Sequence, residues 1–110
     1  MKKKTKEIRV LAKNPGGTWY TLKVENSLAA LQGCVGGYIE TVTVFSDACI
    51  ICNEEGRIRK LPYCCTIFGT EFVGSVLFVG IDGEEFTDSP LSLSEFLRNN
   101  IDSGAKEVKA

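Results

Sequence analysis

The chain has 110 residues, of which 44% are hydrophobic, and a formal net charge of −1. This length suffices for one domain with its own core and is too short for two. The near-neutral charge excludes a strongly basic nucleic-acid-binding protein as the default class and disfavours nucleic acid as a partner. No apolar run approaches the ~20 residues of a membrane helix, so we expect no membrane partner.

The first predicted elements form a β-hairpin. Residues 1–4 are expected to be a flexible terminus, and the alternation from Glu7 to Ala12 predicts a half-buried strand. The segment Asn14-Pro15-Gly16-Gly17 is typical of a turn, because proline presets one φ and glycine accepts positive φ. The chain is therefore expected to reverse into a second strand from Trp19 to Val24.

A short helix and a pair of glycines come next. Apolar side chains recur at helical spacing at Leu28, Leu31 and Val35, after Asn26 or Ser27 as the candidate N-cap. Gly36 is predicted to end this helix in the left-handed conformation, and Gly37 to turn the chain into a strand from Tyr38 to Phe45. A phosphate-binding loop is the alternative, but such a loop precedes a helix, whereas here a helix ends.

The middle of the chain is predicted to supply further strands. The continuous apolar run from Ala48 to Asn53 is typical of an interior strand covered on both faces. A reversal at Asn53 to Gly56 leads into an alternating, more exposed strand from Arg57 to Leu61, which Pro62 ends because proline has no N–H to donate. Residues 63–69 receive no assignment.

The strongest strand pattern runs from Phe72 to Ile81, with Gly74 as a candidate bulge. Asp82-Gly83 then signals a hairpin, and Glu84 to Thr87 would be the short returning strand. These elements complete a mostly antiparallel sheet of about five or six strands.

The last helix is signalled at its start. Ser92 and Glu95 have the spacing of a capping box, and Leu91 with Phe96 has that of a hydrophobic staple. We therefore predict one small α+β domain over residues 5–101, with two helices packed on the sheet, and a flexible terminus at residues 102–110.

The residue types limit the possible chemistry. The chain has no histidine, which removes Ser-His and Cys-His nucleophile pairs and the commonest metal ligand. The segments Cys49-Ile50-Ile51-Cys52 and Cys64-Cys65 raise the question of a zinc site, but residues three apart on a strand point to opposite faces. We therefore expect buried thiols, no metal and no cofactor. Five cysteines in apolar runs, with no apolar leader near the lysine-rich start, predict a cytoplasmic protein.

Two polar or aromatic positions remain as functional candidates. Glu40 lies inside an apolar strand, so it is expected at a sheet edge, paired with Arg57 or Arg59, or lining a polar site. Trp19 is either a stacking platform for single-stranded nucleic acid or, more commonly for a hairpin aromatic, packed onto its neighbouring helix.

Several motifs occur together in a fixed order. They are Val35-Gly36-Gly37-Tyr38-Ile39-Glu40, Asn53-Glu54-Glu55-Gly56, Leu61-Pro62 and Asp82-Gly83-Glu84-Glu85-Phe86-Thr87. Over residues 24–97 this set resembles the domain-of-unknown-function family three-eight-four-six, small proteins carried by phages and mobile elements. The family pattern has an Asn-Arg pair after Leu61-Pro62, where this chain has Tyr63-Cys64-Cys65, so no polar role is carried over to that loop.

Two hypotheses for function follow. The resemblance implies a phage or mobile-element accessory protein, and by analogy a non-catalytic module that binds a host or defence protein. The alternative is a protein that binds or sequesters a nucleotide or phosphorylated signal in a pocket edged by Gly36, Gly37, Tyr38, Glu40, Asn53 and Arg57. Uneven charge along the chain also leaves a homo-oligomer open.

Overall fold

The structure is a computed structural model that describes residues 6–104. In this part of the chain there are eight strands and two helices. In chain order they are β1 (Glu7–Lys13), β2 (Tyr20–Glu25), α1 (Leu28–Val35), β3 (Ile39–Phe45), β4 (Ala48–Asn53), β5 (Tyr63–Ile67), β6 (Thr70–Val73), β7 (Val76–Asp82), β8 (Glu85–Thr87) and α2 (Leu93–Arg98).

Six of these strands form one antiparallel sheet in the order β2-β1-β7-β4-β3, with β8 also paired to β7. The first half of β7 pairs with β1 and its second half with β8, while β4 occupies the opposite edge of β7. Strands β5 and β6 form a separate two-stranded sheet. The predicted α+β class, with a mostly antiparallel sheet and two helices, is confirmed.

The large sheet is covered on both faces. Helix α1 covers one face, where Leu31 and Val35 join one hydrophobic cluster. Helix α2 and the β5–β6 hairpin cover the other face, where Phe96, Ile67 and Phe72 join a second cluster. Strand β4 is therefore buried along its whole length, as its continuous apolar run predicts.

The ends of α1 follow from local hydrogen bonding. Ser27 caps the N-terminus with its side chain, and Gly36 ends the helix with φ +80°. The backbone N–H groups of Gly36 and Gly37 both donate to Gln32 O, at 2.8 and 3.2 Å. The predicted helix-ending role of the glycine pair is confirmed. Leu28 is 59% exposed, so the buried stripe is narrower than predicted.

The predicted strand from Arg57 to Leu61 is wrong, because residues 54–60 form consecutive turns. The N–H of Arg59 donates to Glu55 O and that of Leu61 donates to Gly56 O, which are local bonds and not a ladder. Ile58 is 83% exposed, so the alternation of apolar and polar residues has no buried face behind it. Alternation over five residues alone does not identify a strand.

The predicted single strand from Phe72 to Ile81 is two strands in different sheets. Gly74 adopts φ +76° and its N–H donates to Pro62 O, so the chain leaves β6 there and enters β7. A Cβ at Gly74 would lie 2.8 Å from Leu61 Cδ1. Glycine is therefore needed both for the left-handed conformation and for the close approach. The position is a break between sheets and not a bulge.

Ordered packing extends beyond the predicted domain end at residue 101. Asp102 is 4% exposed and forms an isolated bridge with Ile67 of β5. Packed residues therefore continue beyond the predicted domain end at residue 101, and the flexibility of the terminus stays a prediction. Residues 1–5 and 105–110, which hold the rest of the predicted termini and the start of the predicted domain, lie outside the described residues.

Candidate functional site

A pocket of about 450 Å³ lies between the β1–β2 turn, the start of β5 and the segment after α2. We call it the Trp19 pocket. Its wall is mostly apolar and is formed by Lys13, Gly16, Gly17, Thr18, Trp19, Tyr63, Cys64, Leu97, Asp102 and Gly104. The Trp19 ring is itself held by Phe96 of α2, with ring centroids 4.6 Å apart. The expectation that this hairpin aromatic packs against a helix is confirmed.

Lys13 brings a cation to this wall. It ends β1, where Leu11 already belongs to the cluster beneath α2, and strand alternation puts Lys13 on that same face. The side chain is only 9% exposed, and its Nζ donates to Cys64 O at 2.6 Å. Within residues 6–104 this is the one hydrogen bond of the ammonium, which has three N–H bonds to donate.

Asp102 is the second buried charged residue of the pocket, and its oxygens are well supplied with donors. Trp19 Nε1 donates to Oδ2 at 2.9 Å. The backbone N–H groups of Thr66 and Gly104 donate to Oδ1 at 3.0 and 2.9 Å. One carboxylate thus joins the first hairpin, strand β5 and the segment after α2. Hydrogen bonds to a charged acceptor are among the stronger ones in proteins.

Two adjacent cysteines lie at the pocket, and one of them, Cys64, forms part of its wall. Cys64 and Cys65 are consecutive in β5, yet both are buried in the same cluster, because the pairing with β6 shifts register between Tyr63 and Cys65. A hydrogen bond from Cys65 and the Lys13 ammonium lower the pKa of Cys64, against burial and the Asp102 carboxylate, which raise it. The same hydrogen bond and burial raise the pKa of Cys65.

The predicted ligand-binding residues are only partly brought together. Glu40, Asn53 and Arg57 line a smaller cleft of about 200 Å³, between the end of the large sheet and β6. Glu40 is exposed on β3, an edge strand of the large sheet, which is one of the three placements predicted for it. Arg57 uses one guanidinium nitrogen to donate to Glu71 O at 2.5 Å. Tyr38 does not line the cleft and is 64% exposed.

The glycine pair and Asn53 are engaged in structural contacts. Asn53 Nδ2 donates to Val35 O at 3.1 Å, and the N–H of Glu55 donates to Asn53 Oδ1 at 2.7 Å. A Cβ on Gly37 would lie 2.9 Å from Asn53 Nδ2. Gly37 therefore permits a close approach of α1 to the end of β4. With the amides of Gly36 and Gly37 donating to Gln32 O, ligand binding by this group stays a prediction.

The comparisons with known proteins agree with the motif resemblance. The sequence model of the family described as "Domain of unknown function (DUF3846)" matches residues 8–100. The chain belongs to DUF3846. For this DUF3846 chain no curated protein and no solved structure was found to match. No helix in residues 6–104 is long and apolar enough to cross a membrane. The cytoplasmic location and the mobile-element setting stay predictions.

The cysteines of this DUF3846 chain follow the strand geometry. Cys49 lies in the cluster beneath α1 and Cys52 in the cluster on the opposite face, so the two thiols diverge as the alternation argument predicts. All five cysteines are free thiols. In the part of the chain that the structure describes, no three Cys, Asp or Glu residues are grouped so that they could hold a metal ion.

Sequence reasoning missed the Trp19 pocket, although Trp19 had been singled out. The residues that form it come from distant parts of the chain, and Trp19 and Asp102, which share a hydrogen bond, are 83 positions apart. One signal was present, since Lys13 continues the register of Leu11 in β1 and so falls on a face that is buried. Asp102 carried no local signal, because it follows the end of a helix in a polar segment.

Proposed function

We propose that this DUF3846 domain is a non-catalytic binding module whose ligand is a small molecule with an apolar body, held in the Trp19 pocket. The observation that carries the proposal is the pocket itself, about 450 Å³ in volume with a mostly apolar wall. Sites for small molecules are commonly apolar concavities of roughly 300–1,000 Å³ with a few polar groups that orient the ligand. Trp19, Leu97 and Tyr63 supply the apolar part, and Lys13 and Asp102 the polar part.

Two features favour binding over catalysis. The chain has no histidine, so the Cys64 thiol has no imidazole base to activate it. The oxygens of Asp102 accept three hydrogen bonds from within the protein, which suits a fixed structural carboxylate better than one that exchanges protons with a substrate.

The experiment uses Trp19, the single tryptophan, as the reporter. A set of small aromatic and aliphatic compounds is titrated while Trp19 fluorescence and the melting temperature are recorded. A compound present at 100 times its Kd should raise the free energy of unfolding by about 2.7 kcal/mol.

The matched variants are Gly17→Leu and Gly33→Leu. Gly17 lines the pocket, and a Cβ there meets only Asn14 O at 3.4 Å, so a side chain fits at the pocket wall. Gly33 lies on α1 in open space and is remote from the pocket lining. Binding should weaken in Gly17→Leu and persist in Gly33→Leu. Absence of any binding compound, or equal binding by both variants, would contradict the proposal.

A docking surface for a host or defence protein is the second candidate. It is favoured by the turn at residues 54–60, where Ile58 is 83% exposed beside Arg57, Arg59 and Lys60. An exposed apolar residue flanked by cations suits an acidic partner surface. If the surface acts in this way, Ile58→Ser should reduce retention of a purified partner, whereas Phe68→Ser, also exposed, should not. Sedimentation of the same samples tests the homo-oligomer.

A further inference from the structure

We infer that the Trp19 pocket selects ligands that carry a carboxylate on their apolar body, and that Lys13 is the residue that recognises it. This inference rests on the proposed function and adds the chemical class of the ligand. It comes from an imbalance between the two charged residues of the pocket wall.

The Lys13 ammonium has more N–H donors than the protein has acceptors bonded to them. The side chain is 9% exposed, and within residues 6–104 its ammonium donates to Cys64 O alone. Two N–H bonds of the three are therefore left to be matched by acceptors in the pocket. A buried ammonium is strongly stabilised by an anionic acceptor, since burial removes the water that would otherwise solvate the charge.

Asp102 does not supply the missing acceptors for the Lys13 ammonium. No carboxylate of residues 6–104 lies within 4.0 Å of Lys13 Nζ, so none of them forms an ion pair with it. The oxygens of Asp102 instead accept hydrogen bonds from Trp19, Thr66 and Gly104. The pocket therefore has two unused donors on Lys13, whereas three of the about four acceptor sites of Asp102 are already occupied. A ligand that brings acceptors fits this arrangement, whereas an amine would find one remaining acceptor site on Asp102 and would be repelled by the like charge of Lys13.

The single positive charge of the site favours a carboxylate over a phosphate. One ammonium carries a single positive charge, which a monoanionic carboxylate balances, while a phosphate dianion calls for further cations or backbone donors. The remaining wall, from Gly16 and Gly17 to Leu97, is mostly apolar and suits the hydrocarbon part of an aryl or alkyl acid.

The test compares three probes of nearly the same shape: 4-phenylbutyrate, 4-phenylbutyramide and 4-phenylbutylamine. Their dissociation constants are measured from Trp19 fluorescence. In the unaltered protein the carboxylate should bind at least about tenfold tighter than the amide, and the amine should bind most weakly. This ratio needs no variant, so it remains measurable even if a substitution at Lys13 prevents folding.

Two lysine variants then assign the selectivity. In Lys13→Met the preference for the carboxylate over the amide should fall to about onefold, while Lys23→Met, at an exposed position of β2, should keep it. Equal binding of carboxylate and amide by the unaltered protein would overturn the inference and leave the binding function standing. So would a preference that persists in Lys13→Met. If none of the three probes nor any compound of the wider set binds, the proposed function fails together with the inference.

Discussion

The hydrogen bond from Trp19 Nε1 to Asp102 Oδ2 should show as energetic coupling between the two side chains. In Asp102→Asn the amide oxygen can still accept from Thr66 and Gly104, but its NH₂ group then faces the indole N–H, so two donors meet. A hydrogen bond to a charged group contributes roughly 1.5–3 kcal/mol, so this variant should lose about 2–3 kcal/mol of unfolding free energy. Trp19→Phe removes the indole N–H, so Asp102 Oδ2 loses its hydrogen-bond donor. The smaller ring also makes less contact with Phe96.

In the double variant no indole N–H opposes the amide, so its loss should be smaller than the sum of the two single losses by about 2 kcal/mol. Urea unfolding followed by far-ultraviolet circular dichroism gives all four free energies, because the signal does not depend on the tryptophan. Tyr20→Phe replaces Trp19→Phe in the control cycle, since Tyr20 is adjacent in sequence and partly exposed. Losses that add within about 0.5 kcal/mol in the Trp19 cycle would refute the role assigned to Asp102.

Three further predictions concern stability. Gly36→Ala should lower the unfolding free energy by about 1 kcal/mol, because φ at Gly36 is +80°. Gly33→Ala, inside α1, should instead raise it by about 0.5–1 kcal/mol. If urea titrations show that both variants change the unfolding free energy in the same direction, the helix-end assignment is contradicted. Ser92→Ala should lose about 1 kcal/mol through the capping box of α2, with Ser94→Ala as the milder control measured in the same way. Burial, with a smaller contribution from the neighbouring thiol, raises the pKa of Cys49 from 9.0 to about 11, so the unfolded chain releases this proton first and the unfolding free energy should fall between pH 9 and 11. A Cys49→Ala variant that declines just as steeply in urea titrations across that range would rule out this contribution.

Elements with local signals were predicted well. The turn at Asn14 to Gly17, the helix end at Gly36 and the capping box at Ser92 each depend on residues within a few positions of one another, and each is present in the structure. Such features depend on backbone φ and on side-chain to backbone hydrogen bonds, which a short stretch of sequence specifies.

Elements that depend on distant partners were predicted poorly. The segment from Phe72 to Ile81 would have the same apolar pattern whether it formed one strand or two, because Phe72 in its first part and Val76 to Gly80 in its second part are buried. The left-handed conformation of Gly74 and its contact with Leu61 divide the run, and neither can be read from the spacing. The Trp19 pocket was missed for the same reason, since Lys13 and Asp102 face one pocket only after the whole sheet has formed.

Ligand binding in the Trp19 pocket should depend on the segment at residues 99–104, because Asp102 lies in this segment and forms part of the wall. Asp102 and Gly104 form part of the wall, and their contacts with Trp19 and Thr66 attach this segment to the rest of the domain. Detachment of these few residues would dismantle the wall without unfolding the sheet. The apparent Kd of a ligand then equals its intrinsic Kd divided by the docked fraction, so a change that loosens this segment weakens binding in proportion.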